Sequence, residues 1–350
     1  MSGTTIRLHC PLPSDDGSVV LLGHGSGGRM TADLIRRIFL PALSNPALDR
    51  LNDNAELRAS GVRLVFTTDA FVVSPLRFPG GDLGSIAVNG TINDLAVSGA
   101  HPLGLSAAFI LEEGFPLDEL RTLVDSMQRA ARGAGVDIVT ADTKVVERGK
   151  ADGVFITTSG VGLVPDGVDL DPTRAQPGDA ILVSGPIGDH GIAVLSAREG
   201  LRFDTTVVSD CAALHTLVAA MLASGGAIRC LRDPTRGGVA TALNELAGSS
   251  RVEMLIDEPA VPVRNGVRAA CEMLGLDPLY VACEGRLVGV VAAADAERVL
   301  AAMHAHPLGS EAHRIGTVYG QAAPRVLLRT TLGTTRILDV LSGAQLPRIC

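Results

Sequence analysis

The sequence predicts a mixed α/β fold divided into two domains, and three observations carry that reading. At 350 residues the chain is longer than one core comfortably serves. Its composition, 46% hydrophobic but 3% aromatic and without Trp, calls for cores built from Val, Leu, Ile and Ala. Strand-like apolar runs and amphipathic helical patterns lie on both sides of a stretch, 164–179, holding Pro165, Pro172 and Pro177 with Gly167 and Gly178. Such a stretch punctuates elements rather than continuing them. The expected division is 1–165 for a first domain, 176–338 for a second and 339–350 for a tail.

In chain order, Val19-Val20-Leu21-Leu22 is a short apolar run closed at once by glycines. A helix is expected from about Met30, with Leu34, Ile35 and Ile38 on one face, stopping near Pro41. Val62 to Thr68 reads as a strand leading to Asp69. Pro116 to Arg132 has an apolar stripe of Leu120, Leu123, Val124 and Met127, with Gly133 and Gly135 to end the helix. Strands follow at Val136–Thr140 and Val154–Thr158. Beyond the linker, strands are expected at Ala180–Val183 and Leu287–Val291, and helices at Ile192–Arg198, Cys211–Ala223, Val239–Ala247, Val267–Leu274 and Ala296–His304. Leu341 to Cys350 has neither period and reads as a mobile tail.

The formal charge of -8, the lack of a basic run and the few aromatics argue against nucleic-acid and anionic-membrane partners. Six cysteines (Cys10, Cys211, Cys230, Cys271, Cys283 and Cys350) form no C-x-x-C pair, so the common zinc and thioredoxin spacings are missing. Met1 to Cys10 lacks the apolar core of a signal peptide, and the apolar stretch Leu287–Ala294 is too short to span a bilayer. A cytoplasmic protein in a reducing compartment is expected.

Chemistry first surfaces in Gly23-His24-Gly25-Ser26-Gly27-Gly28-Arg29. Glycines let backbone N–H groups approach phosphate oxygens, and a helix start behind them favours negative charge. Gly23, Gly25 and Gly28 also satisfy a dinucleotide-binding spacing, whereas Arg29 and Met30 stand where a P-loop needs Lys and Ser or Thr. Asp69 ends a predicted strand, Asp94 follows Asn93, and Asp233 precedes Pro234-Thr235-Arg236-Gly237-Gly238 and a helix. Carboxylates at element ends suit Mg²⁺, which takes one or two of them together with nucleotide phosphates. Each alone reads equally as a cap or turn residue.

Taken together, Gly25-Ser26-Gly27-Gly28, Phe78-Pro79-Gly80-Gly81-Asp82, Asn93-Asp94-Leu95-Ala96, Asp142-Thr143-Lys144-Val145, Gly188-Asp189-His190-Gly191, Asp233 with Thr235-Arg236-Gly237-Gly238, Glu284-Gly285 and the ending Pro347-Arg348-Ile349-Cys350 resemble the HypE family of hydrogenase maturation proteins. The likeness runs from about Leu22 to Cys350. One departure is Ala141, where that family usually has Gly before Asp142; an added methyl there would tighten a turn. The family is similar to aminoimidazole ribonucleotide synthetases and selenophosphate synthetases. The resemblance implies two α/β domains with an ATP cleft between them, a flexible C-terminal tail and a homodimer joined through the N-terminal sheet. It implies ATP and Mg²⁺, with Asp69, Asp94 and Asp233 as metal ligands. For the nucleotide it implies Gly25, Ser26, Gly27, Gly28, Asp69, Asn93, Asp94, Asp142, Asp233, Arg236, Gly237 and Gly238. It also implies a reaction: a carbamoyltransferase of the HypF type loads Cys350, ATP drives dehydration of the carbamoyl group to a thiocyanate, and an iron-carrying scaffold of the HypC–HypD type accepts the cyanide for nickel-iron hydrogenase assembly.

Elementary chemistry fits that expectation. An amide-like oxygen leaves poorly until it is phosphorylated, and nitrile formation then needs a proton acceptor. Glu284 and Lys144 are the expected proton-handling residues beside Cys350. His190 reads as a helix cap. Three rivals stand beside this reading. One is a selenophosphate-synthetase-like enzyme, which would keep its reactive group near the N-terminus. Another is a nicotinamide oxidoreductase, which needs an acidic residue after a second strand about 20 residues beyond the glycines. The third is a non-catalytic carrier of cyanide or metal.

Overall fold

A computed structural model describes residues 19–200, 207–320, 323–341, 343 and 346–350. Met1 to Ser18, with Cys10, therefore lie outside the described residues. Val19 to Leu21 form no strand, and a 3-10 turn (Leu22–Gly25) leads into α1 (Arg29–Leu34), a π-turn (Ile35–Phe39) and α2 (Leu40–Leu43).

The first sheet holds β1 (Ala55–Ala59), β2 (Val62–Phe71), β5 (His101–Glu112), β6 (Ile138–Val146) and β7 (Val154–Leu163), in the order β1-β2-β7-β5-β6. Only β5 and β6 run parallel. A small hairpin, β3 (Arg77–Phe78) with β4 (Gly81–Asp82), leads into α3 (Leu83–Val97), and α4 (Leu117–Ala134) lies against α3. Asp82 caps α3 by accepting from the Ser85 N–H at 2.8 Å. A Cβ on Gly84 would stand 2.3 Å from the Leu123 carbonyl, so glycine lets the two helices close up. In α4, Leu123 and Met127 are buried as the stripe predicts, but Val124 faces outward.

Alternation decides which face of this sheet is covered. Val65, Thr67 and Phe71 of β2 and Val154, Ile156 and Thr158 of β7 turn inward toward α3. Among the described residues no element covers the opposite face. Across it run in register Ala70, Thr157, Ala108 and Asp142, with Phe155, Ile110 and Lys144 beside them. Residues paired in this way share a face.

The second sheet has the order β14-β13-β10-β12-β8-β11-β9. Its strands are β8 (Ala180–Val183), β9 (Ile228–Arg232), β10 (Glu253–Asp257), β11 (Val288–Val291), β12 (His313–Gly320), β13 (Arg325–Arg329) and β14 (Thr335–Leu338). Every residue of β8 and β11 is buried, which is why both read as unbroken apolar runs. The helices of this half are α5 (Asp189–Glu199), α6 (His215–Ala223), α7 (Gly238–Ser250), α8 (Asn265–Leu274) and α9 (Ala296–His304).

Several expectations are corrected here. The strand expected at Val136–Thr140 extends to Val146, so Ala141, Asp142 and Lys144 are strand residues and Ala141 tightens no turn. α5 begins three residues early, because Gly188 turns the chain at φ 83°. α6 begins at His215; Cys211 to Leu214 are instead held irregular by Asn93, whose amide donates to the Ala212 carbonyl at 3.1 Å and accepts the Leu214 N–H at 2.8 Å. Of the tail, residues 346–350 lie docked in this structure.

Candidate active site

Between the two sheets, residues distant in sequence converge. Asp53 precedes β1, Asp69 lies near the end of β2, Asp94 sits in α3 and Asp233 follows β9. One carboxylate oxygen each from Asp53, Asp94 and Asp233 lies within 4.8 Å of the others. The Thr67 hydroxyl stands 2.6 Å from Asp94 Oδ2, and Arg232 holds Asp53 at 2.9 Å. Burial, reinforced by Asp69, Asp233 and Asp53, pushes the Asp94 carboxyl well up. Burial and then Asp53 raise Asp233 to about 8. Burial raises Asp69 too, against the pull of Arg236. Like charges gathered in a dry place hinder one another's ionisation.

The glycine loop closes one side. Gly25, Ser26 and Gly28 line a cleft with Arg236, Gly237, Thr241, Tyr280 and the last residues of the chain. Gly27, at φ 78°, sits where a Cβ would meet the Arg236 Cβ at 2.7 Å. Opposite, Gly237 and Gly238 take φ of 75° and 61°, and α7 starts directly behind them. A Cβ on Gly238 would stand 2.6 Å from the Leu279 carbonyl, so the turn depends on glycine. Thr241, in the first turn of α7, has a buried hydroxyl without a partner among the described residues.

Into this cleft runs the C-terminus. The Val72 N–H donates to the Cys350 carbonyl at 3.0 Å and the Ser74 N–H to the Arg348 carbonyl at 3.2 Å. Arg198 donates to the Pro347 and Arg348 carbonyls at 2.8 and 2.7 Å. His190, fully buried at the start of α5, bonds the Ile349 carbonyl through Nε2 at 2.8 Å. That contact requires the proton on Nε2, so Nδ1 accepts from the Ser209 hydroxyl at 2.9 Å. His190 is thus a tail contact, not a cap. Burial pushes its imidazole down to about 4. Cys350 is half-buried, and its thiol is pushed up to about 12 by burial and then by Glu284, with Arg236 opposing.

Glu284 faces the same space. Its Oε1 is buried without a partner among the described residues, and burial followed by Asp233 and Asp210 drives its carboxyl well up. Its backbone is pinned on both sides: the N–H donates to Asp210 Oδ1 at 2.9 Å and the carbonyl accepts from Asn93 at 3.1 Å.

The structure therefore gathers Cys350, Glu284, Asp69, Asp94, Asp233, Arg236, Gly25, Ser26, Gly27, Gly28, Gly237 and Gly238. It does not bring two expected residues, Asp142 and Lys144, to them. Asn93 is fully buried beside Asp94 and joins the two domains, its amide donating to the Ala212 and Glu284 carbonyls and accepting from the Leu214 N–H. Asp142 and Lys144 stand exposed on the bare face of the first sheet, bonded to each other at 2.7 Å. Asp53 and Thr241 are site residues that sequence reasoning missed. The one available signal for Asp53 was its place in Asn52-Asp53-Asn54, a polar run ahead of a strand.

Two family models match the chain: AIR synthase related protein, N-terminal domain, over residues 51–164, and AIR synthase related protein, C-terminal domain, over 176–329. Carbamoyl dehydratase HypE of Cupriavidus necator is 58% identical over 352 residues, covering 100% of both chains. Among solved structures, one in a HypE–HypF complex aligns with a TM-score of 0.84 at 47% identity, covering 88% of this chain and 99% of that one. The crystal structure of hydrogenase maturation protein HypE in complex with ATP aligns with a TM-score of 0.80 at 48% identity, covering 95% and 100%. By likeness along its whole length, the chain belongs to the carbamoyl dehydratase HypE family.

Proposed function

We propose that this protein uses ATP to dehydrate a carbamoyl group carried on Cys350, leaving a thiocyanate. The observation that carries the reading is the docking of Cys350 in a cleft shared with Glu284, Arg236 and three converging carboxylates. A terminal cysteine held by four consecutive main-chain carbonyls is delivered to chemistry rather than to packing.

The acidic cluster fits a divalent cation, because its carboxylates raise one another's proton affinity and a cation would reverse that. Asp53, Asp94 and Asp233 would hold Mg²⁺, with Asp69 beside them; once bound it supplies neutralising charge for nucleotide phosphates. The loop from Gly25 to Gly28 and the start of α7 offer N–H groups to those phosphates. Thr241 offers a free hydroxyl and Arg236 a guanidinium. Glu284 is the proton acceptor for the nitrogen of the carbamoyl group, its unpartnered Oε1 being the atom that takes the proton.

Docked, the Cys350 thiol keeps its proton and is a poor nucleophile. Loading by a HypF-type carbamoyltransferase therefore takes place with the tail withdrawn, and dehydration with the tail returned. Transfer of the cyanide to a HypC–HypD-type iron scaffold needs a second withdrawal.

Homodimerisation belongs to the same reading. The bare face of the first sheet carries Phe66, Ile110 and Leu163 at 41, 42 and 36% exposure, an apolar set that a second copy would cover. Lys144 and Asp142 lie on that face, so they serve a site across the dimer rather than the one in their own subunit. A cytoplasmic site of action accords with the described helices, none of which is long and apolar enough to cross a membrane.

The test is intact-mass spectrometry after incubation with carbamoyltransferase, carbamoyl phosphate and ATP. The chain should gain a carbamoyl group and then lose one water from the same adduct, mapping to the C-terminal peptide. An adduct on Cys211 or Cys283 would overturn the assignment.

A further inference from the structure

The groove that holds the tail grips every main-chain carbonyl of its last four residues. The carbonyls of Pro347, Arg348, Ile349 and Cys350 each accept a hydrogen bond, from Arg198, from Arg198 and the Ser74 N–H, from His190 and from the Val72 N–H respectively. The third bond of Arg198 goes to the Ser74 carbonyl at 2.7 Å, so one guanidinium ties the groove wall to the tail. Return bonding comes from the Arg348 side chain, to the Val72 carbonyl at 3.0 Å and to the Asp152 carboxylate. This is the pattern by which a peptide is bound as an added strand, its backbone giving affinity and alternate side chains giving selectivity. Two features supply the selectivity. Ile349 is buried at 5% exposure in the core of the first domain. Arg348 holds φ at 53°, a left-handed backbone that glycine adopts freely and β-branched residues resist.

Nothing in these contacts requires the tail to be joined to the rest of the chain. Resting on the dehydration reading above, we propose that the groove is a peptide-binding site for a free C-terminal tetrapeptide ending in S-carbamoylcysteine, and that the enzyme dehydrates such a peptide as a separate substrate. The balance is that of the attached tail. The carbamoyl oxygen forms a bond to the γ-phosphorus of ATP as the β,γ bond breaks and ADP leaves. The C–O bond then breaks, the oxygen departing in inorganic phosphate, and both nitrogen protons pass by way of Glu284 to phosphate and water as the C≡N bond forms. The tether's role is concentration: a short flexible linker holds its end at an effective concentration in the millimolar range. A free peptide should therefore saturate the groove only at millimolar levels.

The experiment uses the full chain carrying Arg348→Val and Cys350→Ala, whose own tail is disfavoured in the groove and has no sulfur. It is incubated with ATP, Mg²⁺ and the synthetic peptide Leu-Pro-Arg-Ile-Cys carbamoylated on sulfur, and the peptide is followed by mass. Loss of one water from the peptide is the expected result. Replacing its Arg by Val should slow the reaction at least about tenfold, the β-branched side chain resisting the required backbone as the bonds to Val72 and Asp152 are lost, whereas Gly, which loses those bonds but adopts the backbone freely, should fall between. Adding Arg198→Ala should raise KM by about tenfold or more with little change in kcat, since bonds to the ground-state peptide are lost. Arg198→Lys, which keeps a donor, should fall between, and thermal melts report whether each variant is folded. No water loss from millimolar peptide, while the wild-type chain dehydrates its own loaded tail, overturns the proposal. So does equal turnover of the Arg and Val peptides by a folded enzyme. Failure of the wild type on its own tail overturns instead the function from which the proposal starts.

Discussion

The last residues of the chain and strand β6 both carry reactive groups, and the structure treats them in opposite ways. Pro347 to Cys350 give four carbonyls to their own chain and bring a thiol beside Glu284. Asp142 and Lys144 of β6 bond each other and the Thr143 main chain between them, on an exposed sheet face. The tail was expected to be mobile because it lacks any period. It is ordered by contacts that ask little of its side chains. The strand was expected at the site because its motif matches the family. Its charges stand exposed on the face proposed above for contact with a second copy of the chain. Local sequence thus misjudges a segment whenever the partner surface is distant in the chain or lies outside it.

The largest effect that tests this contrast is removal of the thiol. Cys350→Ala should abolish cyanation entirely, because the substrate is carried on that sulfur. Stability should change by no more than about 1 kcal/mol, since one half-buried sulfur at a chain end is lost. Intact mass and a thermal melt give the two readouts. Retained cyanation would place the chemistry on another cysteine and leave the tail's docking without a purpose.

Next in size is Glu284→Gln. The amide keeps the shape and the two backbone anchors but cannot take a proton, so single-turnover dehydration of the loaded tail should fall between about a hundredfold and ten-thousandfold. ATP binding and tail loading should persist. Undiminished cyanation would remove Glu284 from proton transfer and leave its unpartnered Oε1 unexplained.

How much of this was legible depended on whether an element shows water one face. α4 does, and its stripe located it within two residues at either end. α3 does not: nearly every residue from Leu83 to Val97 is buried, so no polar face marks a period, and the helix that carries Asp94 went unread. β5 was missed because Pro102 and Gly104 break its start, where the ladder with β7 also shifts register. β6 was cut short because Asp142-Thr143-Lys144 is polar throughout, the normal look of a turn. In the site, motif residues around Arg236 and Glu284 were legible as a family pattern. Asp53 was not, because only tertiary packing sets it against Asp94 and Asp233. Asn93 was named for the nucleotide alone, and that its amide also spans the two domains was not legible.

A smaller effect, on docking alone, should follow pH. The Cys350 thiol is raised from 9.0 to about 12, chiefly by burial in the docked position. The docked thiol keeps its proton, so docking is fully favoured below about 9 and weakens as pH climbs from there toward 12. The rate of Cys350 alkylation, corrected for thiolate fraction, should therefore rise above about 9. His190 is held down at about 4 by burial, while its bond to the Ile349 carbonyl pulls the other way. It is neutral across this range, so His190→Gln, whose amide still donates to the Ile349 carbonyl, should leave the alkaline limb in place. A rise already present well below about 9 would mean that other groups set it.

The smallest effect bears most directly on the strand. If Lys144 serves the neighbouring subunit, Lys144→Ala and Glu284→Gln are defects in different chains of one site. Each homodimer should be inactive. Mixed after reversible dissociation, half of the dimers become hybrids. In each hybrid one site combines two damaged residues and the other combines two intact ones. About a quarter of the wild-type site activity should then return, as two-fold symmetry requires. Ile110→Asp, placing a charge on the half-exposed sheet face, should leave the melt nearly unchanged but prevent dimerisation and with it the recovery. Mixtures that stay inactive, although sedimentation shows the subunits have exchanged, would return Lys144 to its own subunit. Its exposed place on β6 would then need a movement of the strand rather than a second copy of the chain.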